Sequence, residues 1–294
     1  MCKVAIMTDS NSGITQAEAK QIGIEVVPMP FMISGEEYFE DINLTQEQFY
    51  NKLIKEDANV CTSQPSIGYV SSVWENLLKE YDEILYIPMS SGLSMSMLTA
   101  KTLAQTHYNG KVFVVDNKQI SVTQKRSVFD AIELAKKGLS ALEILHILED
   151  NALNSNIYIA VDTLKFLKKG GRITPTVAML GTIAKIKPIL QIHGDKLDKF
   201  KQTRLFDKAK QIMLEKAEED IQNMLGENGT LDDLFIDVAY TYNRDQALDF
   251  VEEIKNKFNV QDVYCDPLSL SVSCHIGPNA LAIAITKKIV IKAD

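Results

Sequence analysis

The 294-residue chain has no apolar run near the ~20 residues that a membrane-spanning helix needs; even its strongly apolar stretches, such as 280–286, are far shorter. Basic charge is scarce as well. Lys and Arg number 31 against 39 Asp and Glu, a net charge of -8, which argues against a sequence-independent grip on nucleic-acid phosphates. Cysteine is sparse, and Cys2, Cys61, Cys265 and Cys274 form no C-x-x-C pair and no metal-ligand spacing with the histidines. They are expected to be reduced and mostly buried, with no metal site. The first nine residues reach polar side chains before a signal-peptide apolar block can form, so a cytoplasmic location is expected. There is no G-x-x-x-x-G-K, no G-x-G-x-x-G after a strand and no G-x-S-x-G elbow, which removes the usual support for nucleotide-binding and hydrolase readings.

What is present is enough apolar residue, 46% of the chain, for one large or two ordinary domains. Residues 3–8 form a branched apolar run closed by Asp9-Ser10-Asn11-Ser12-Gly13, a strand ending in a turn. A polar helix over 16–22 and a strand over 24–28 follow. The pattern then recurs: a strand at 59–62, a polar loop, and a helix from 67 to 81 with Ser66 as its N-cap. It recurs again as a strand at 83–88, the loop Ser90-Ser91-Gly92-Leu93-Ser94, a helix at 98–107 and a strand at 111–116. This alternation predicts an α/β protein with a mostly parallel N-terminal sheet flanked by helices, and ligands at the carboxyl ends of its strands.

Helices at 121–137 and 141–153 precede a fresh strand at 157–161, which places a domain boundary near Asn154: 1–154 and 155–294. The second half carries a basic turn at 165–172, a helix running to 187, and a hairpin of 189–192 and 197–200 around His193-Gly194-Asp195. Helices at 205–225 and 245–258 and strands at 234–241, 262–265 and 280–287 complete a mixed sheet with helices.

Four short segments have chemistry to offer. Thr62-Ser63-Gln64-Pro65-Ser66 sets hydroxyls at a strand end before a helix whose first N–H groups are free, a setting for an anion. Alone it reads equally as a cap. Ser90-Ser91-Gly92-Leu93-Ser94 repeats that arrangement, and if the two strands are neighbours both hydroxyl clusters face one crevice. His275, in a tight turn before the last strand, is able to donate to an anionic head group, although a lone histidine is more often structural. Lys168-Lys169-Gly170-Gly171-Arg172 places an arginine after a glycine turn, either to clamp an anion or simply as a solvated turn. A Ser/His hydrolase or phosphotransfer enzyme acting on a small anion, with Ser63 or Ser94 as nucleophile and His275 as base, is the alternative reading; no third residue orienting His275 is evident.

Taken in order, the Thr62-to-Ser66 and Ser90-to-Ser94 loops, Leu167-Lys168-Lys169-Gly170-Gly171-Arg172-Ile173, Lys187-Pro188-Ile189-Leu190 and His275-Ile276-Gly277-Pro278 resemble the DegV family over nearly the whole chain. The resemblance implies two α/β domains with a long-chain fatty acid such as palmitate buried between them. It implies that the carboxylate is bonded by Thr62, Ser94 and His275, with Ser63 beside them, and that no cofactor is used. It further implies a binding subunit rather than an enzyme, one that presents its acid to a separate ATP-binding bacterial fatty acid kinase. Ser91, Arg172, Lys168 and Lys169 are then candidate partner or site contacts, with at most transient contact to a membrane surface. The chain departs from the family pattern at Met95-Ser96, at Asn117 and at Asn279, none of them a proposed head-group donor.

Overall fold

The fold is described from a computed structural model covering residues 2–56, 58–172, 174, 177, 186–194 and 196–290. β1 (Val4–Asp9), α1 (Gln16–Ile22) and β2 (Glu25–Val27) open the chain. Thr15 caps α1 by accepting from the Glu18 N–H, and Gly23 ends it at φ +75°. Where periodicity gave no element, between residues 29 and 58, the chain forms β3 (Phe31–Ile33), β4 (Glu36–Tyr38) and α2 (Gln46–Tyr50). Then come β5 (Val60–Thr62), α3 (Ile67–Leu77), β6 (Glu83–Ile87), α4 (Ser96–His107), β7 (Val112–Val114), α5 (Ser121–Lys136) and α6 (Ala141–Asp150). Beyond these lie β8 (Ser155–Ala160), α7 (Lys165–Lys169), β9 (Lys187–His193), β10 (Lys196–Thr203), α8 (Phe206–Leu225), β11 (Leu234–Tyr240), α9 (Arg244–Phe258), β12 (Tyr264–Pro267), α10 (Leu270–Ile276) and β13 (Leu281–Lys287).

Among the described residues the strands form three sheets. A four-stranded parallel sheet runs β2-β1-β6-β7, with helices on both faces: α5 and α6 cover Ile6, Leu85 and Ile87, while α3 and α4 cover Met7, Ile84 and Tyr86. The chain leaves β1 toward β2 on one side and later adds β6 on the other, so the loops after β1 and β6 part at a crevice suited to a ligand. A six-stranded mixed sheet runs β10-β9-β8-β13-β11-β12. One of its faces packs on α8 and α9 through Tyr158, Ile236, Val238, Leu281, Ile283 and Ile285. The expected α/β architecture, parallel sheet first and mixed sheet second, is what the chain adopts.

Three expectations need correction. β5 does not join the parallel sheet; it is the third strand of a small antiparallel sheet, β4-β3-β5, whose apolar face meets α2 and α10. Three-residue strands carry too little alternation to reveal their partner. The basic turn at 165–172 begins as the helix α7, and the helix expected to run on to 187 falls largely outside the described residues. The cysteines are free but only Cys274 is buried; Cys2 and Cys61 are exposed and Cys265 is intermediate.

Two ion-pair groups tie α5 to the six-stranded sheet. Arg126 makes a bidentate contact with the fully buried Asp237 on β11, Nη2 to Oδ1 at 2.7 Å and Nε to Oδ2 at 3.2 Å. Lys125 reaches Glu18 at 2.9 Å and Asp266 at 3.3 Å, and these carboxylates raise its pKa against the opposing effect of burial. A charge desolvated this far is retained only when matched, so removing one partner costs more than the pair contributes.

Candidate functional site

Among the described residues, the second face of the six-stranded sheet meets Val122 of α5, Leu167 of α7 and Val272 and Ile276 of α10. It looks across a cavity of ≈ 250 Å³ to the loops that follow β1, β6 and β7. Alternation along each strand assigns the wall. On β8, Ile157 and Ile159 face the cavity while Tyr158 and Ala160 face the helices; on β13, Ala282 and Ala284 face the cavity while Leu281, Ile283 and Ile285 do not. Ala239 on β11 pairs directly with Ala282. The alanines leave unfilled the volume that a packed core would have occupied. The wall continues through Ile192 on β9 and Leu197 on β10, so it crosses five adjacent strands, about 19 Å at ~4.8 Å per step. Met89, Leu93, Ile120 and Val122 close the opposite side.

Polar atoms gather at one end of the wall. Thr62 Oγ1 lies 2.8 Å from His275 Nε2 across 213 residues of sequence, joining the small antiparallel sheet to α10. His275 is not in a tight turn as expected: it stands on the last turn of α10, ahead of Gly277. Burial first, and the Arg172 charge second, pull its pKa down to about 4, so the ring is neutral at pH 7. Its Nδ1 is buried without a hydrogen-bond partner among the described residues. The glycines of the two nearby motifs explain how it gets there. A Cβ on residue 170 would lie 2.0 Å from that Nδ1, and one on Gly277, at φ +78°, would lie 2.2 Å from the Phe166 ring. Gly170 is therefore required for close approach of α7 to α10, and Gly171, at φ +66°, for the turn.

Of the residues singled out by sequence, Thr62, Ser63, Ser94, Arg172 and His275 all line this cavity. The two serine-rich loops thus share a crevice although β5 and β6 belong to different sheets, and the reason expected for their meeting was wrong. Ser94 Oγ accepts from the Ser96 N–H at 3.2 Å, at the start of α4, and sits 2.9 Å from Ser96 Oγ, where either hydroxyl is able to donate; with Ser96 as donor, the Ser94 proton is left for a ligand. Ser66 acts as the cap of α3 through the Tyr69 N–H, the plainer of its two readings. Arg172 is exposed at the rim, its Nη1 donating to the Gly170 carbonyl at 2.9 Å. Ser91 does not line the cavity: its hydroxyl donates to Asp116 Oδ2 at 2.7 Å and accepts from Lys118 Nζ at 2.9 Å, which staples the loop to the end of β7. Lys168 and Lys169 are exposed on α7 and do not line it either.

Sequence reading passed over Asp9 and Asn11. Asp9 is fully buried, its Oδ2 accepting from the Met89 N–H at 2.9 Å and its Oδ1 from the Asn11 N–H at 3.0 Å and Gln124 Nε2 at 3.1 Å. Burial raises its pKa even so. It fixes the start of the Ser90–Ser94 loop from below. Asp9-Ser10-Asn11 looks like a turn in sequence, and only the parallel pairing of β1 with β6 reveals the contact.

An apolar trough with hydroxyls, one neutral imidazole and a rim guanidinium suits an elongated amphiphile with one anionic or hydrogen-bonding end. The DegV family model, described as a family of uncharacterised proteins, matches residues 3–288. The DegV domain-containing protein SA1258 of Staphylococcus aureus (strain N315) is 30% identical over 292 residues, covering 98% of this chain and 100% of that protein. The crystal structure of Bacillus subtilis DegV, described as a fatty acid binding protein, superposes with a TM-score of 0.86 at 28% identity, covering 98% of this chain and 100% of that one. A Thermus thermophilus DegV family protein, described by its fatty acid binding, gives 0.85 at 26% identity, with 97% and 100% covered. By the extent of these matches, and by the motifs that build its cavity, this chain belongs to the DegV family.

Proposed function

We propose that the protein binds one long-chain fatty acid, palmitate or a near relative, by its carboxylate and presents it to a separate ATP-binding kinase subunit for phosphorylation. The observation that carries the reading is the Thr62–His275 hydrogen bond at the polar end of an alanine-floored apolar wall. The wall's span of about 19 Å exceeds the ~15 Å that one leaflet of acyl chains occupies in a bilayer core. Burying ~14 methylenes at ~0.8 kcal/mol each offers on the order of 11 kcal/mol before ordering costs, so the head group needs only modest polar contacts. Thr62, Ser63, Ser94 and His275 supply them, and the two solved relatives described by fatty acid binding support the ligand class.

The protein acts as a carrier without chemistry of its own. A Ser/His hydrolase needs the imidazole on a serine and a carboxylate behind it; here Nε2 bonds a threonine and Nδ1 has no partner among the described residues. Lys168, Lys169 and Arg172 form the kinase-facing rim. The chain divides near residue 154 into two domains with the lipid between them, and it works in the cytoplasm. Native mass spectrometry of the purified protein, followed by organic extraction, tests the reading. One acyl chain per protein is expected, and a folded Ser94→Ala plus His275→Ala variant is expected to lose it. Protein that is empty and also refuses added palmitate and oleate would defeat it.

A further inference from the structure

Asn11 has an amide without a complete set of partners. The residue is 1% exposed, part of the cavity wall, and held at the end of β1 by its own backbone N–H donating to Asp9. Its Oδ1 accepts from Ser271 Oγ at 2.5 Å and from Ser269 Oγ at 3.4 Å, which spends the oxygen on the first turn of α10. Its Nδ2 makes no hydrogen bond of ordinary geometry among the described residues, although it stands close enough to the Asp9 carboxylate to lower that group's pKa. A buried amide nitrogen left in this state is costly, and such groups in native proteins call for a ligand, a water or an ion.

Position points to the ligand. Ser271 and His275 stand four residues apart on α10, one above the other on the same face, and both line the cavity. The Asn11–Ser271 pair and the Thr62–His275 pair therefore bracket a single helical turn, about 5–6 Å, at the polar end of the wall. A carboxylate has two oxygens, each accepting up to two hydrogen bonds, and the neutral hydroxyls and imidazole leave that capacity partly unused. The group missing from such a set is a donor that carries no charge of its own to desolvate.

Resting on the fatty-acid reading above, we propose that the Asn11 amide nitrogen is a further head-group donor, and that the acid's carboxylate spans the turn between Thr62–His275 and Asn11–Ser271. The donor sets the preference for an ionised acid over an uncharged lipid of the same length, because an alcohol presents one oxygen and fills only one end of the bracket.

The isosteric change Asn11→Asp, read beside the neutral Asn11→Ala to set aside repulsion between carboxylates, separates this role from a structural one. It keeps an oxygen for Ser269 and Ser271, and replaces the donor with a second acceptor. Lipid-stripped wild type and variant are titrated with hexadecanoate and with 1-hexadecanol at pH 7.5, and their melting curves are compared. A loss of hexadecanoate affinity of tenfold or more, with hexadecanol affinity within threefold of wild type, is expected. Equal affinities of variant and wild type for hexadecanoate, or equal losses for both lipids, overturn the proposal and leave Asn11 an anchor for α10. Should the buried carboxylate prevent folding, Asn11→Ala is read by the same ratio: a selective loss for the acid supports the donor, a common loss overturns it. Wild type that takes up neither lipid overturns the fatty-acid reading itself, and the head-group assignment with it.

Discussion

β13 separates two surfaces of similar apolarity and unlike purpose. Its helix-facing side, Leu281, Ile283 and Ile285, is packed by α8 and α9. Its other side, Ala282 and Ala284, is no less buried but meets the cavity. The same strand thus contributes to stability on one face and to an unfilled volume on the other, and the alternation of bulky and small residues is what divides the tasks. The sharpest way to break the comparison is to exchange the faces' characters. Ile283→Ala, at a site with no exposure, is expected to cost about 2–5 kcal/mol of unfolding free energy while leaving palmitate affinity near wild type. Ala284→Leu is expected to do the reverse. Its three added carbons displace about three methylenes of ligand, ~2.4 kcal/mol or near 50-fold in affinity for a sixteen-carbon acid, with a twelve-carbon acid spared. Urea melts and a chain-length titration check both; equal effects of the two substitutions on stability would mean that the alanine face is ordinary core.

How legible this division was follows from the same strand. The apolar run of 280–287 announced a strand, and the alternation of helix and strand announced the α/β order that the sheets follow. Alanine, however, reads as apolar in either role, so the cavity floor was invisible until the strands were paired. The site was legible where a residue's type restricts its use, as with His275, Thr62 and Ser94. It was illegible where a long-range contact decides. Ser91 has the same composition around it as Ser94, yet Asp116 and Lys118 claim it. Asn11 passed as a turn residue because its partners lie 258 and 260 positions away. β5 passed as part of the parallel sheet because three residues cannot declare an antiparallel partner.

A second contrast lies along α10, whose two ends meet half-buried groups of opposite pH response. Glu40 accepts from the Leu270 N–H at its start, and burial pushes that carboxyl up to about 7; His275, at its end, is held down to about 4. The raised acid binds its proton more tightly folded than unfolded, so its contribution is present below its usual 4.5 and is lost as pH rises through 7. The depressed histidine does the opposite. The unfolded chain takes a proton near 6.5 and the folded chain only near 4, so this contribution is present above 6.5 and fades as pH falls toward 4. Urea unfolding of wild type and His275→Gln at pH 7.0 and pH 5.0 isolates the second group. The wild type is expected to lose about 2 kcal/mol more than the variant between those pH values, at ~1.4 kcal/mol per pH unit. Parallel losses would show that the imidazole titrates normally and that the polar end of the cavity is open to water.

The smallest expected effect concerns the rim against the interior. Lys168 and Lys169 are exposed on α7 and do not line the cavity, whereas Leu167 beside them is buried and does. Reversing both charges, Lys168→Glu with Lys169→Glu, is expected to change unfolding free energy by no more than about 0.5 kcal/mol and to leave the bound acid in place, since neither side chain reaches the wall. Coupling to a kinase subunit is another matter. A positive rim speeds encounter with a partner of opposite charge, and reversing it slows association most at low salt, where the screening length exceeds the ~10 Å it has near 0.1 M. Association rates measured at 20 mM and 300 mM salt are expected to differ between variant and wild type at the lower concentration and to converge at the higher. Rates that coincide at both would return the two lysines to a solvated turn, and would leave Arg172, which alone of the three borders the cavity, as the rim's working charge.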